Sequence, residues 1–129
     1  MIDNAGHRVA LVTGAARGLG QAFAERLAQD GCRVVLVDLL DCAETLALVR
    51  RAGVVGRSAV CDLAEPQQIE ALVRDVLARE GGVDILVNNA AYQPPVPWDR
   101  LDAATLRRML AVNTEASFLL AQGFARGMV

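Results

Sequence analysis

A run of glycines at Thr13-Gly14-Ala15-Ala16-Arg17-Gly18-Leu19-Gly20 follows directly on the apolar stretch Val9-Ala10-Leu11-Val12. Glycine admits backbone angles closed to other residues and leaves no Cβ between the chain and a ligand. A strand that turns through such residues into a helix aims its first helical amides at an anion such as a phosphate, with the positive end of the helix dipole behind them. The alternative is a turn whose glycines serve only tight bending and close helix packing. Asp38 stands about twenty residues downstream, where a carboxylate at the end of a second strand can accept both adenosine ribose hydroxyls of NAD. The same charge repels the 2′-phosphate of NADP. Arg17 pulls the other way, but Leu39 supplies no second cation, so NAD is expected over NADP. In Cys61-Asp62-Leu63, Asp62 can accept from an adenine amino group or simply start a turn. Asn88-Asn89-Ala90-Ala91 offers amides and small residues past which a ribose can approach the backbone.

Alternating elements must position these groups. Residues 8–13, 33–38, 54–61 and 83–88 read as strands, and residues 18–30, 41–52, 66–80 and 102 to about 126 as helices. Ile69, Leu72, Val73, Val76 and Leu77 recur at helical spacing, whereas Val34-Val35-Leu36-Val37 is a continuous apolar run, the pattern of helices covering a buried parallel sheet. Gly31, Gly53 and Gly81-Gly82 follow three of the helices where left-handed caps are wanted. Pro66 suits a first helical turn, and Asp102 can cap the fourth helix. Pro94-Pro95-Val96-Pro97 forms a stiff loop. Right-handed crossovers order the strands 3-2-1-4, an incomplete Rossmann-type doubly wound α/β sheet of four βα units in one domain spanning residues 1–129.

This ordered set, Thr13-Gly14-x-x-x-Gly18-x-Gly20, Asp38, Asp62, Asn88-Asn89-Ala90 and Val112-Asn113, resembles the short-chain dehydrogenase/reductase family over essentially the whole chain. The resemblance implies NAD(P) binding and hydride transfer between a nicotinamide and an alcohol or carbonyl. It implies that Thr13, Gly14, Arg17, Gly18, Leu19 and Gly20 surround the pyrophosphate. Asp38 would hold the adenosine ribose, Asp62 and Leu63 would lie near adenine, and Asn89 and Ala90 would line the cofactor, with Asn88 bracing the fourth strand. One departure is Ala91, where the family carries Gly. Helical spacing places Asn113 on a face with Leu106, Leu110, Ser117 and Leu120, where a polar amide needs partners. The matching family residue sits at a helix irregularity and helps hold a water of the catalytic proton relay, which makes Asn113 the one catalytic candidate; the alternative is an amide that ties helix to loop.

The family's catalytic Ser and Tyr-x-x-x-Lys lie beyond the fourth helix, and no residue of this sequence replaces them. All thirteen basic residues are Arg, and Tyr92, the single tyrosine, is followed four positions later by Val96. A phenol with a pKa near 10 becomes a useful base only when a close cation favours the phenolate. Tyr92 and Trp98 therefore read as loop or pocket-wall aromatics. The chain is expected to be the cofactor-binding portion of an oxidoreductase, truncated before a fifth strand and inactive alone.

Composition narrows the alternatives. With 129 residues, 53% hydrophobic, and a formal charge of −2, the chain has no basic face for nucleic acid or anionic membrane. Three cysteines without metal or disulfide spacing read as buried thiols, and no metal site is expected. Neither a signal peptide nor a membrane span is legible, so a cytoplasmic location is expected. Phe118, Leu119, Leu120, Phe124 and Met128 make the last helix apolar on more than one face, which suits pairing with a second copy. A non-catalytic dinucleotide-binding or interaction module is the alternative function. A methyltransferase is disfavoured by the glycine spacing and by Asn88-Asn89-Ala90.

Overall fold

The computed structural model describes residues 7–128. Four parallel strands, β1 (Val9–Thr13), β2 (Arg33–Asp38), β3 (Gly56–Val60) and β4 (Ile85–Val87), form one sheet in the order β3-β2-β1-β4. Val9 pairs with Arg33 and Thr13 with Val37 across the centre, while β4 meets β1 from Ala10↔Ile85 to Val12↔Val87. The crossover helices are α1 (Gly18–Gln29), α2 (Ala43–Arg51) and α3 (Pro66–Glu80). After β4 come a single 3-10 turn at Trp98–Arg100, then α4 (Ala103–Leu110), a wide π-helical turn at Ala111–Glu115, and α5 (Ala116–Phe124).

Side-chain alternation sorts the central strands between two cores. Ala10, Val12, Val34 and Leu36 pack under Ala24 and Ala28 of α1 and Val49 of α2. Leu11, Val35 and Val37 pack under Ile69, Leu72 and Val76 of α3 and Leu120 and Phe124 of α5. Both faces of β1 and β2 are thus dry, which is why these strands read as unbroken apolar runs. The outer strands are different. On β3, half-buried and exposed residues alternate after a buried Gly56, with Val60 at its end 73% exposed. β4 is three residues long rather than the six expected: it pairs with β1 from Ala10 to Val12, and beyond Val87 the Thr13 hydroxyl takes the amides of Asn89 and Ala90 in place of a ladder bond. Its start is pinned instead by Asp84, whose Oδ2 accepts from the Val9 amide at 2.7 Å.

The helix ends follow the expected chemistry. α3 opens on Pro66 and leaves through Gly81 at φ 80°. Asp102 caps α4 by accepting from the Thr105 amide at 2.7 Å. The fourth helical segment is not continuous as expected: the π turn divides it, stepping the helical phase so that Leu106 and Leu110 are exposed while Leu120 and Phe124 are buried.

An ionic cluster ties the amino-terminal ends of β2 and β3 to the last turn of α3. Glu80, whose side chain is 3% exposed, takes Arg33 Nη2 and Arg57 Nε at 2.8 Å each. Arg57 also reaches Asp75 at 3.7 Å, which Arg79 holds at 2.7 Å. Leaving two guanidinium groups around an uncharged partner is costly. Glu80→Gln is expected to cost about 3 kcal/mol, the lower end for a broken buried pair because both arginines keep some water, measured by urea denaturation.

The three thiols are free and buried. Burial first, and then the neighbouring carboxylates, push Cys42 and Cys61 up from 9.0 to about 11; burial raises Cys32 as well. A folded-state pKa above the unfolded one means stability that is full below pH about 9 and lost as pH rises toward about 11. Because the sequence has no lysine, few other groups titrate in that window. The urea midpoint is expected to fall between pH 9 and 11, and to fall less in a Cys42→Ala/Cys61→Ala variant.

Candidate functional site

The carboxyl ends of the four strands open onto a cleft of about 420 Å³. Gly14, Arg17, Gly18, Asp38, Asp62, Leu63, Asn89 and Ala90, eight of the residues singled out by sequence, line it together. Thr13, Leu19, Gly20 and Asn113 do not. Leu39, Cys61, Ala91, Tyr92 and Val112 complete the wall, with Leu40 and Arg108, which sequence reasoning passed over.

The glycine turn has a distinct reason for each glycine. At Gly14 (φ 64°) a Cβ would stand 2.9 Å from Asn89 Nδ2 and 3.0 Å from Ala90 Cα, so the turn touches the end of β4 there. At Gly20 a Cβ would overlap the Gly14 carbonyl oxygen, so the helix packs directly on its own turn. Gly18 (φ 60°) has nothing within 4 Å of such an atom and faces open space. No side chain caps the start of α1. Its first amides are therefore left for a ligand or water.

Behind the turn, its backbone polar groups are held by other elements. Ala16 N donates to Asp38 Oδ2 at 2.9 Å and Ala15 N to the Val37 carbonyl at 3.3 Å. Thr45, fully buried on α2, donates its hydroxyl to the Ala15 carbonyl at 2.7 Å and accepts from Gln21 Nε2 at 3.0 Å. Asn89 Nδ2 donates to the carbonyls of Thr13 and Gly14 at 3.2 and 3.3 Å. Thr13, 1% exposed, lies beneath the cleft: its hydroxyl oxygen accepts from the amides of Asn89 and Ala90, both at 3.0 Å, and splices β1 to β4.

Asp38 also accepts from the Leu40 amide through Oδ1 at 3.0 Å. One donor on each oxygen leaves acceptor capacity on both. Asp62 Oδ1 accepts from the Ala64 amide at 3.0 Å and from Arg108 Nη2 at 3.3 Å. The Arg108 guanidinium also lies over the Tyr92 ring, 5.3 Å from its centre. Cys61, with its thiol pushed up to about 11 by burial and then by Asp62, is no nucleophile at neutral pH. Among the described residues no group of three or more His, Cys, Asp or Glu stands ready for a metal ion.

Asn113 falls inside the π turn and is exposed. Its amide is tied to one loop residue, accepting from Tyr92 N at 2.7 Å and donating to Tyr92 O at 3.0 Å, with one N–H and one lone pair left over. The face expected to join it to Leu106, Leu110 and Leu120 is broken by the wide turn. Asn88 Nδ2 reaches the Ser117 carbonyl at 3.4 Å, bracing the end of β4 against α5. Arg108 gave little signal in the sequence because Arg107-Arg108 reads as a solvated pair on a helix; only its placement five residues before Asn113 puts it at the cleft.

Comparison with known proteins agrees with this geometry. A family model described as short chain dehydrogenase matches residues 8–129. Sorbitol dehydrogenase of Cereibacter sphaeroides is 34% identical over 123 residues, covering 95% of this chain and 47% of the relative. A metagenomic short-chain oxidoreductase solved in complex with NADP superposes with a TM-score of 0.88 at 38% identity, covering 94% of this chain and 55% of the other. A short-chain dehydrogenase from Mycobacterium paratuberculosis bound to NAD gives 0.84 at 29% identity, with 94% and 50% covered. The chain belongs to the short-chain dehydrogenase/reductase family of oxidoreductases, and its fold is the Rossmann-like sheet of that family. It spans about half the length of the curated relatives it matches.

The two kinds of glycine separate in a simple test. Gly20→Ala forces a methyl into backbone that cannot yield and is expected to cost about 3 kcal/mol or more in urea denaturation. Gly31→Ala, at φ 90° in open space after α1, is expected to cost only about 1–2 kcal/mol.

Proposed function

We propose that this chain holds NAD, in preference to NADP, in the cleft at the strand ends. The observation that carries the reading is the pairing of the open Gly18 side of the turn with the Asp38 carboxylate, anchored beside it on Ala16 N at 2.9 Å. The uncapped start of α1 suits a pyrophosphate, the free lone pairs of Asp38 suit two ribose hydroxyls, and Asp62 suits an adenine amino group. Gly14, Arg17, Leu19 and Gly20 shape the phosphate end, Leu63 and Asp62 the adenine end, and Asn89 and Ala90 the wall between. Thr13 acts from beneath, by fixing the ends of β1 and β4. Arg17, at the glycine turn, favours a 2′-phosphate, and Asp38 opposes it.

A bound nicotinamide supplies a hydride donor or acceptor for an alcohol or carbonyl, and the names of the relatives point to polyols. This chain's residues bind and orient; none moves the substrate proton. Tyr92 has no lysine partner in a sequence without lysine, and Asn113 ties the last helix to the loop after β4 while keeping an N–H and a lone pair with which to hold a water of the proton relay. The 129 residues, one cofactor-binding domain, therefore bind without turnover. Exposed Phe118 (64%) and Leu110 (54%) support pairing of two copies through the last helix. No helix among the described residues is long and apolar enough to cross a membrane, which agrees with action in the cytoplasm.

Calorimetric titration tests the reading. Saturable NAD binding is expected, about tenfold or more tighter than NADP, with Asp38→Asn bringing the two within about threefold. No NAD reduction is expected with sorbitol, galactitol or simple secondary alcohols. Absence of saturable NAD binding, or tighter NADP binding, overturns the cofactor assignment. Turnover by the pure chain overturns its being a binding unit only.

A further inference from the structure

We propose that Arg108 is a positioning residue for the adenine end of the cleft: by holding one oxygen of Asp62 it turns the other toward the exocyclic amino group of the purine. The inference rests on the proposed function and extends it to a residue on a different element. Asp62 Oδ1 is taken up twice, by the Ala64 amide at 3.0 Å and by Arg108 Nη2 at 3.3 Å. Among the described residues no protein group donates to Oδ2, although Asp62 lines the cleft. The carboxylate is therefore held in one orientation with one oxygen left over.

The holding group is itself held. The Arg108 guanidinium lies 5.3 Å from the centre of the Tyr92 ring, a distance at which the ring face attracts a cation. Tyr92 is fixed in turn by the two backbone bonds to Asn113 in the wide turn. Arg108, Tyr92 and Asn113 thus close a circuit from the last helix, through the loop after β4, to the end of β3. Without Arg108 the carboxylate keeps only its local bond to Ala64 and rotates with its water shell. A carboxylate free to rotate pays an ordering cost before it can accept from adenine, and its preference for a donor at that position shrinks.

Titration of the 129-residue chain with NAD and with nicotinamide hypoxanthine dinucleotide, which carries an oxo group in place of the amino group, reads the effect directly. The native chain is expected to prefer NAD by about tenfold or more. Arg108→Met, which keeps an unbranched stem but no donor, is expected to reduce that ratio to about threefold or less. In an Asp62→Ala background the ratio is already small, and Arg108→Met is expected to move it no further. If Arg108→Met is unfolded by circular dichroism, Arg108→Leu, which also lacks a donor, takes its place; a reduced ratio is again expected. An unchanged ratio, with both affinities falling in step, makes Arg108 a purely structural residue and overturns the inference alone. Failure of the native chain to bind either dinucleotide overturns the proposed function and this inference with it.

Discussion

The turn from Thr13 to Gly18 is the constraint on which the cleft depends, because it must be rigid on one side and bare on the other. Its inner polar groups are taken by side chains from three separate elements: Asp38 from β2, Thr45 from α2 and Asn89 from the end of β4. None of these is near the turn in sequence. Thr45 satisfies a buried carbonyl that would cost about 1–3 kcal/mol without a partner, and Asp38 and Asn89 hold groups that are half-buried. The outer side carries no cap and no Cβ at Gly18. A ligand that meets those amides finds them already ordered, so little of its binding is spent on arranging the loop.

Such a turn can be held only if the strands beneath it do not move, and the sheet divides that task between its two ends. At the amino ends, Glu80 draws Arg33 and Arg57 together and fixes α3 to β2 and β3, far from the cleft. At the carboxyl ends, Thr13 splices β1 to β4 with two amide bonds to one hydroxyl. The first is a charge cluster that no ligand reaches. The second uses a neutral group directly below the site, where an unpaired charge would disturb the field that an anion meets.

Much of this was legible in the sequence because it rests on local rules. Continuous apolar runs marked β1 and β2 because both faces are dry, and Gly81, Pro66 and Asp102 marked helix ends because each supplies a backbone angle or a cap that the end requires. The glycine turn, Asp38, Asp62 and Asn89 were legible because strand order in a doubly wound sheet brings strand ends together. Where sequence reasoning went astray, the cause was long-range. β4 is short because side chains, Asp84 at one end and Thr13 at the other, take over backbone groups that a longer ladder would pair. The splice that Thr13 makes between β1 and β4 gave no signal, since nothing local says which way a strand's last hydroxyl turns. Arg108 and Thr45 carry no motif at all: each matters only for what it meets.

The wide turn at Ala111–Glu115 breaks the single periodicity that the fourth helical segment carries in its sequence. Leu106, Leu110, Asn113, Ser117, Leu120 and Phe124 follow one another at three- and four-residue steps, and on a regular helix they would share a face. An added residue in one turn steps that register. The α4 half then offers Arg108 to the cleft, and the α5 half offers Leu120 and Phe124 to the core. Asn113, within the wide turn, bonds both backbone groups of Tyr92. That bond carries the register change outward to the loop after β4. The same polar residue thereby joins the core-building half of the helix to the half that faces the site, which accounts for an amide at a position that periodicity alone would fill with leucine.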